Sequence, residues 1–171
     1  MLAQSNLTPG NAPNVKFCKT GLFPTLGSAK TINNYVESKN LDELITNEVT
    51  TVITMLPEGK NSKEVYLGEK GIINKVSKNC LLIDCSTIDI QTSIEIGKKA
   101  NEKGIKMIDA PVSGGIMGAE KATLNIMVGG TKEAFDIALP LLKIMGKNIF
   151  HAGDLGSGTV SYTHLTLPTK A

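Results

Sequence analysis

An α/β fold built on a doubly wound, mainly parallel sheet is predicted for this chain of 171 residues. Three features predict it. Short apolar runs alternate with segments of helical period between residues 48 and 152, the sequence pattern of βαβ units. The apolar runs are rich in β-branched residues and stop at turn formers, as strands covered on both faces do. Length, an apolar content of 41% and a charged content of 20% suit one globular core.

Each element follows in order. Val49-Thr-Thr-Val-Ile-Thr-Met-Leu56 reads as a buried strand stopped by Pro57. Asn61 to Leu67 reads as a short helix with Ser62 as its cap. Leu81 to Asp84 is a second strand, and Ile88 to Lys103 a helix with Ile90, Ile94, Gly97 and Ala100 on one face and Gly104 as its stop. Lys106 to Asp109 is a third strand, ending in the Asp109-Ala-Pro111 corner. Leu124 to Val128 is a fourth, closed by Gly129-Gly130. Thr131 caps a helix through Ile144, and Asn148 to His151 is a last short strand.

The flanks differ from this zone. Residues 1–47 are weakly patterned, rich in Pro, Gly, Asn, Ser and Thr, with only Val15 to Cys18 and Leu41 to Ile45 regular enough for a short strand and a short helix; part of this zone is expected to be disordered. Residues 48–158 form the patterned domain. Residues 159–171 read as an irregular tail, interrupted by Pro168.

Composition excludes several functions. The net charge of +2 is spread over interspersed acids and bases, which predicts neither a nucleic-acid surface nor attraction to membranes. All 18 basic residues are lysines, so anion binding rests on backbone amides, hydroxyls and lysine rather than on a guanidinium fork. Lys70, Lys75, Lys78, Lys98, Lys99 and Lys103 read as solvated faces. Cys18, Cys80 and Cys85 show no metal spacing and, with two isolated histidines, predict no metal site and a reducing compartment. No secretory or transit-peptide pattern opens the chain.

In doubly wound sheets ligands bind beyond the carboxyl ends of the strands. The loops expected to converge there are Leu56-Pro57 with Asn61, Ser86-Thr87, and Ser113-Gly114-Gly115. The last is the most informative. Adjacent glycines let backbone N–H groups approach a ligand, a serine adds a hydroxyl, and a helix beginning near Gly118 adds its positive end. That combination reads as a cradle for a small carboxylate, and equally as a flexible strand-to-helix turn. Leu56-Pro57 and Asn61 fit either a βα turn with a capping amide or a surface for a flat ring and ribose. Ser86 and Thr87 fit either a helix cap or ligand contacts. Asp109 is more expected to bond nearby backbone than to act as a catalytic carboxylate, and His151 to be structural. No glycine-rich phosphate loop precedes residue 48; the cluster Gly153-Asp-Leu-Gly156-Ser-Gly158 follows the last strand.

Five motifs then occur in one order: Thr54-Met-Leu-Pro57 with Asn61, Leu82-Ile-Asp-Cys-Ser-Thr-Ile-Asp89, Asp109-Ala-Pro-Val-Ser-Gly-Gly-Ile-Met-Gly-Ala119, Asn125-Ile-Met-Val-Gly-Gly130 and Gly156-Ser-Gly158. Their order and spacing resemble the β-hydroxyacid dehydrogenases over about residues 48–160. The resemblance implies the second part of a Rossmann-like domain that binds NAD, with NADP left open. It implies oxidation of a small hydroxy acid, 3-hydroxyisobutyrate, to methylmalonate semialdehyde in valine breakdown, in the mitochondrial matrix of eukaryotes, with other β-hydroxyacids or semialdehydes as alternative substrates. By position, Leu56, Pro57 and Asn61 match contacts to the adenosine side of NAD, and Thr87 a contact near the nicotinamide ribose. Ser113, Gly114 and Gly115 match the substrate-carboxylate cradle.

Two departures stand beside the likeness. The family's first βαβ unit belongs before residue 48, where nothing matching it is found, and its all-helical domain, which forms the family homodimer, is not found after Tyr162. The family's catalytic lysine falls on the position of Tyr162, so no catalytic residue is assigned, and a phenol is a poor base at neutral pH. An inactive fragment, or a module that only binds carboxylate and nucleotide, is therefore the alternative to an active dehydrogenase.

Overall fold

The computed structural model describes residues 2–5, 14–18, 35–38, 41–45 and 49–166, the first three segments through their backbone pairing and side chains as far as 164. The elements are β1 (Leu2–Ser5), β2 (Asn14–Cys18), β3 (Tyr35–Ser38), α1 (Leu41–Leu44), β4 (Thr51–Thr54), α2 (Gly59–Leu67), β5 (Leu81–Asp84), α3 (Ile90–Glu102), β6 (Lys106–Asp109), β7 (Val112–Ser113), α4 (Gly115–Glu120), β8 (Leu124–Gly129), α5 (Lys132–Met145), β9 (Gly146–Gly153) and α6 (Ser157–Thr166).

They form one sheet in the order β3-β2-β1-β4-β5-β6-β8-β7, with β9 on the far side of β8. β4, β5 and β6 are parallel, as are β8 and β9. β6 and β7 both run antiparallel to β8. Their pairs, Asp109 with Gly129, Val112 with Ile126 and Ser113 with Asn125, keep one register, and Met127 N–H donates to Pro111 O (3.1 Å) between them. β6 and β7 are thus one arm that continues past the sheet edge.

The strands have two apolar faces because both sides are covered. Val52, Leu82 and Met107 pack with Tyr66, Ile96 and Ala100 of α2 and α3. Ile53, Ile83 and Ile108 pack on the other side with Ala134, Ala138 and Leu142 of α5. Alternate residues of each strand therefore enter different cores, as strand geometry requires. Thr131 caps α5 by accepting the Ala134 N–H (3.2 Å), as its sequence position predicts.

Several boundaries differ from expectation. The first strand is only Thr51–Thr54, because Pro57 and the turn before it end the ladder early. α2 starts at Gly59; Ser62 lies inside it, buried, so it is no cap. α3 is capped by Asp89, whose carboxylate accepts the Thr92 N–H (2.9 Å), rather than by Ser86 or Thr87. Its fully buried face is Thr92, Ser93, Ile96, Gly97 and Ala100, while Ile90 and Ile94 are half-buried beside Gly156. Lys75 is no solvated lysine: its side chain is 18% exposed and paired with Asp42. In residues 1–47 the strand and helix expected at Val15 and Leu41 are present, and two unforeseen strands, β1 and β3, join them. β1 lies antiparallel to both β2 and β4, so its strand character comes from pairing and not from its own pattern. The expected disorder falls outside the described residues. Within 159–171, expected to be irregular, α6 is helical to Thr166. Its residues carry no apolar stripe; what fixes it is a carboxylate at its start.

Candidate functional site

Three adjacent parallel strands each end in a polar residue. Thr54, Asp84 and Asp109 are partners in register and all three are buried. They mark the carboxyl edge of the sheet. Paired residues on parallel strands project to the same face, which here is the α2 and α3 side.

Asp84 is the hub of the first half of this edge. Its Oδ1 accepts from Thr54 Oγ1 (2.9 Å), from the Ser86 N–H (3.0 Å) and from Ser86 Oγ (2.5 Å). With the Thr54 proton committed to Asp84, the Tyr66 hydroxyl donates to Thr54 Oγ1 (2.5 Å). Ser86 Oγ in turn accepts the Leu56 N–H (2.8 Å). Oδ2 of Asp84 has no partner among the described residues. Burial pushes the Asp84 carboxyl above its ordinary value, opposed by its hydrogen bonds from Ser86 and Thr54 and reinforced by the nearby Asp109. Burial also holds the Tyr66 phenol well above its ordinary value.

Asp109 organises the second half. Its Oδ1 accepts the Gly156 N–H (2.7 Å), and its Oδ2 accepts the Thr159 N–H (2.8 Å) and Thr159 Oγ1 (2.9 Å). A buried carboxylate thus caps the first turn of α6, where the helix dipole favours negative charge. Only small residues fit around it: a Cβ on Gly129 would lie 2.3 Å from Asp109 Oδ1, and one on Gly158 2.4 Å from Met127 O. Asp109 therefore holds distant backbone, 47 and 50 residues on, rather than the nearby backbone foreseen.

The residues singled out in the sequence sit as follows. Leu56 is buried and tied to Ser86, which joins the loop after β4 to the loop after β5. Pro57 and Thr87 are exposed on those two loops, and Asn61 is half-buried in the first turn of α2. Ser113 closes β7, and Gly114 and Gly115 follow it, exposed, at φ +136° and +59°. A Cβ at Gly115 would meet nothing within 4 Å, so the turn is open to solvent. α4 begins at Gly115 and not near Gly118, because the left-handed Gly114 and Gly115 start the turn themselves. Parallel β4, β5 and β6 direct the first two loops and the arm toward one edge. Ser113 lies four residues beyond the end of β6, so its turn stands out past that edge. Tyr162 is half-buried on α6, one turn after Thr159.

His151 is structural: its Nε2 meets Gly130 O (2.7 Å) and its ring stacks on Phe135 at 4.7 Å between centroids. Cys80 and Cys85 are buried, free thiols pushed up to about 12 by burial, which leaves them inert. The Asp84 and Asp109 networks were not foreseen as such. Their signal was a polar residue ending each of three apolar strands, Thr-Val-Ile-Thr54, Leu-Leu-Ile-Asp84 and Lys-Met-Ile-Asp109.

Comparison with known proteins supplies the context for this edge. A family profile described as the NAD binding domain of 6-phosphogluconate dehydrogenase matches residues 24–153, so the likeness starts well before residue 48. The chain is 49% identical over 110 residues to a 3-hydroxyisobutyrate dehydrogenase of Pseudomonas aeruginosa, covering 64% of this chain and 37% of that protein. It is 46% identical over 114 residues to the mitochondrial 3-hydroxyisobutyrate dehydrogenase of Rattus norvegicus, covering 67% and 34%. It is 44% identical over 110 residues to an NAD-dependent L-serine dehydrogenase of Pseudomonas aeruginosa, covering 64% and 37%. Among solved structures, a Mycobacterium tuberculosis 3-hydroxyisobutyrate dehydrogenase with L-serine superposes with a TM-score of 0.73 at 32% identity, covering 81% of this chain and 46% of that one. The chain thus spans between a third and two fifths of the length of these curated relatives.

Proposed function

Since the chain belongs to the family of the NAD binding domain of 6-phosphogluconate dehydrogenase, we propose that its sheet edge forms part of the cofactor and substrate site of a β-hydroxyacid dehydrogenase. The substrate proposed is 3-hydroxyisobutyrate, with L-serine and related β-hydroxyacids as the competing class. In this assignment Leu56, Pro57 and Asn61 meet the adenosine side of NAD or NADP, and Thr87 lies near the nicotinamide ribose. Ser113, Gly114 and Gly115 receive the substrate carboxylate. The observation that carries the proposal is the shared edge: Leu56 and Ser86 are bonded to each other across two parallel strand ends, and the open glycine turn stands just beyond. Residues 48–158 are the part of the chain proposed to act this way.

A dinucleotide suits this edge, because three parallel strands end there in buried polar groups and an open glycine turn follows β7. Bound there, the nicotinamide supplies the hydride acceptor. The chain's own part is to hold and orient. The Ser113 hydroxyl and the exposed amides after it offer donors to a carboxylate, and Gly114 and Gly115 leave room for its approach. A mitochondrial matrix setting in valine breakdown, and a homodimer, are proposed on the strength of the eukaryotic relatives alone.

One observation favours a second assignment, binding without turnover. Tyr162 on α6 stands where the resemblance places a proton-transferring lysine. A positioned general base is worth roughly 10²- to 10⁴-fold in rate, and the resemblance gives that role to a lysine and not to a phenol. The test is a fluorescence titration with NADH, followed by absorbance at the reduced-nicotinamide band with NAD and 3-hydroxyisobutyrate. Saturable NADH binding that weakens in Thr87→Trp, on the exposed loop after β5, supports the assignment of the edge. Failure to bind NADH or NADPH defeats it. Turnover that appears only after Tyr162→Lys selects the binding-only form.

A further inference from the structure

We propose that Asp84 is a positioning residue of this edge: acting through Ser86, it fixes the Leu56 backbone amide, and so holds the loop after β4 against the loop after β5. Its purpose rests on the assignment of those two loops to a dinucleotide; its geometry does not. The Leu56 N–H lies beyond the ladder, since the β4–β5 pairing closes with the Cys85 N–H donating to Thr54 O (2.8 Å). Pro57 follows and has no N–H, so Leu56 carries the last main-chain donor before the turn. That donor is received by the Ser86 hydroxyl.

A serine hydroxyl rotates, and it accepts well in one direction only when its own proton is engaged in another. Asp84 Oδ1 engages it, and takes the Ser86 N–H as well, so both ends of the Ser86 residue are pinned by one oxygen. From the other side the same oxygen is held by Thr54, with Tyr66 donating behind it. Every proton in the chain Tyr66, Thr54, Asp84, Ser86, Leu56 therefore has one direction. The arrangement needs an acceptor, and not a donor, at Oδ1. Asp84 is buried among Tyr66, Ser86 and Thr54, with Asp109 the neighbouring charge, and its hydrogen bonds run to Thr54 and Ser86, the latter in turn holding Leu56.

The test is amide hydrogen exchange at Leu56 in the full chain. Ser86→Ala is expected to speed it about tenfold, the effect of losing one hydrogen bond, while Leu82 and Ile83 in the ladder stay within about twofold. Ser86→Thr, which keeps the hydroxyl, is expected to restore the slow rate. Asp84→Ala is expected to match Ser86→Ala although the Leu56 N–H is bonded to Ser86 and not to Asp84. Asp84→Asn keeps an acceptor and is expected to stay near wild type, which keeps the comparison informative where Asp84→Ala does not fold. Unchanged Leu56 exchange in Ser86→Ala overturns the relay. In NADH titrations, Ser86→Ala is expected to raise Kd about tenfold, with recovery in Ser86→Thr. Faster exchange with unchanged Kd overturns the positioning role. Wild-type chain that binds no NADH defeats the dinucleotide assignment instead, and the exchange rates still decide the relay.

Discussion

Asp109→Ala is the most severe single change expected in the described domain. The carboxylate accepts three hydrogen bonds, from Gly156 N–H (2.7 Å), Thr159 N–H (2.8 Å) and Thr159 Oγ1 (2.9 Å), and Asp109 is 1% exposed. Alanine leaves two main-chain donors and a hydroxyl without partners. Each buried donor left unpaired costs about 1–3 kcal/mol, with rotation of the hydroxyl and entry of a water offsetting part. The expected loss is about 3–5 kcal/mol, a large share of the 5–15 kcal/mol that typically separates a folded domain from its unfolded chain. Asp109→Asn keeps one acceptor but turns an NH₂ toward the other donor, and is expected to cost about 2–3 kcal/mol. Urea unfolding followed by circular dichroism measures both. Exchange at the Gly156 and Thr159 amides should rise more than exchange in β5, because α6 loses its anchor first. A loss below about 1 kcal/mol for Asp109→Ala, with those two amides still protected, refutes the reasoning.

Other outcomes follow from single positions. Gly129→Ala places a methyl 2.3 Å from Asp109 Oδ1 and 2.7 Å from Gly158 N; it should cost about 1–3 kcal/mol in urea unfolding, as overpacking does. Gly114→Ala, at φ +136° with Leu124 3.2 Å away, should cost more than Gly115→Ala, at φ +59° with open space. Thr131→Ala removes the α5 cap and should cost about 1 kcal/mol. Asp84 has a carboxyl raised by burial, so the native state holds its proton more tightly than the unfolded chain does. Stability from this group is full below the unfolded value, near 4 as a rough guide, and is lost as pH rises through the raised native value. Asp84→Asn should flatten that part of a pH–stability curve. Asp89 is the opposite case: its hydrogen bonds to Thr92 lower its carboxyl, so its capping of α3 is present at neutral pH and is lost as acid protonates it.

What could be read from the sequence was what depends on neighbours in the chain. Leu81 to Asp84 and Lys106 to Asp109 match their strands because apolar runs end at polar residues there. The Thr131 cap was legible because its partner, Ala134, is three residues away. β7 was not, since two residues show no period and Val112 and Ser113 are a strand only by pairing with β8. Ser62 and Thr87 had the composition of caps, yet α2 starts earlier and Asp89 takes the second cap while Ser86 is engaged by Asp84. The loops proposed for the site could be found in the sequence because each follows the end of a strand. The groups that hold those loops in place were out of reach of local pattern, because Thr54 and Asp84 are 30 residues apart and Asp109 and Thr159 are 50 apart.

The shared register of β6 and β7 makes chain length between Asp109 and the glycine turn a matter of whole steps. Removing one residue from Ala110-Pro111 would turn Ser113 to the opposite side of the ribbon. Ala110 and Pro111 are themselves buried, so this span resists bulkier side chains as well as insertions and deletions. Engineers seeking a different acid at this turn should exchange the exposed residues after Ser113 and leave the count before it untouched.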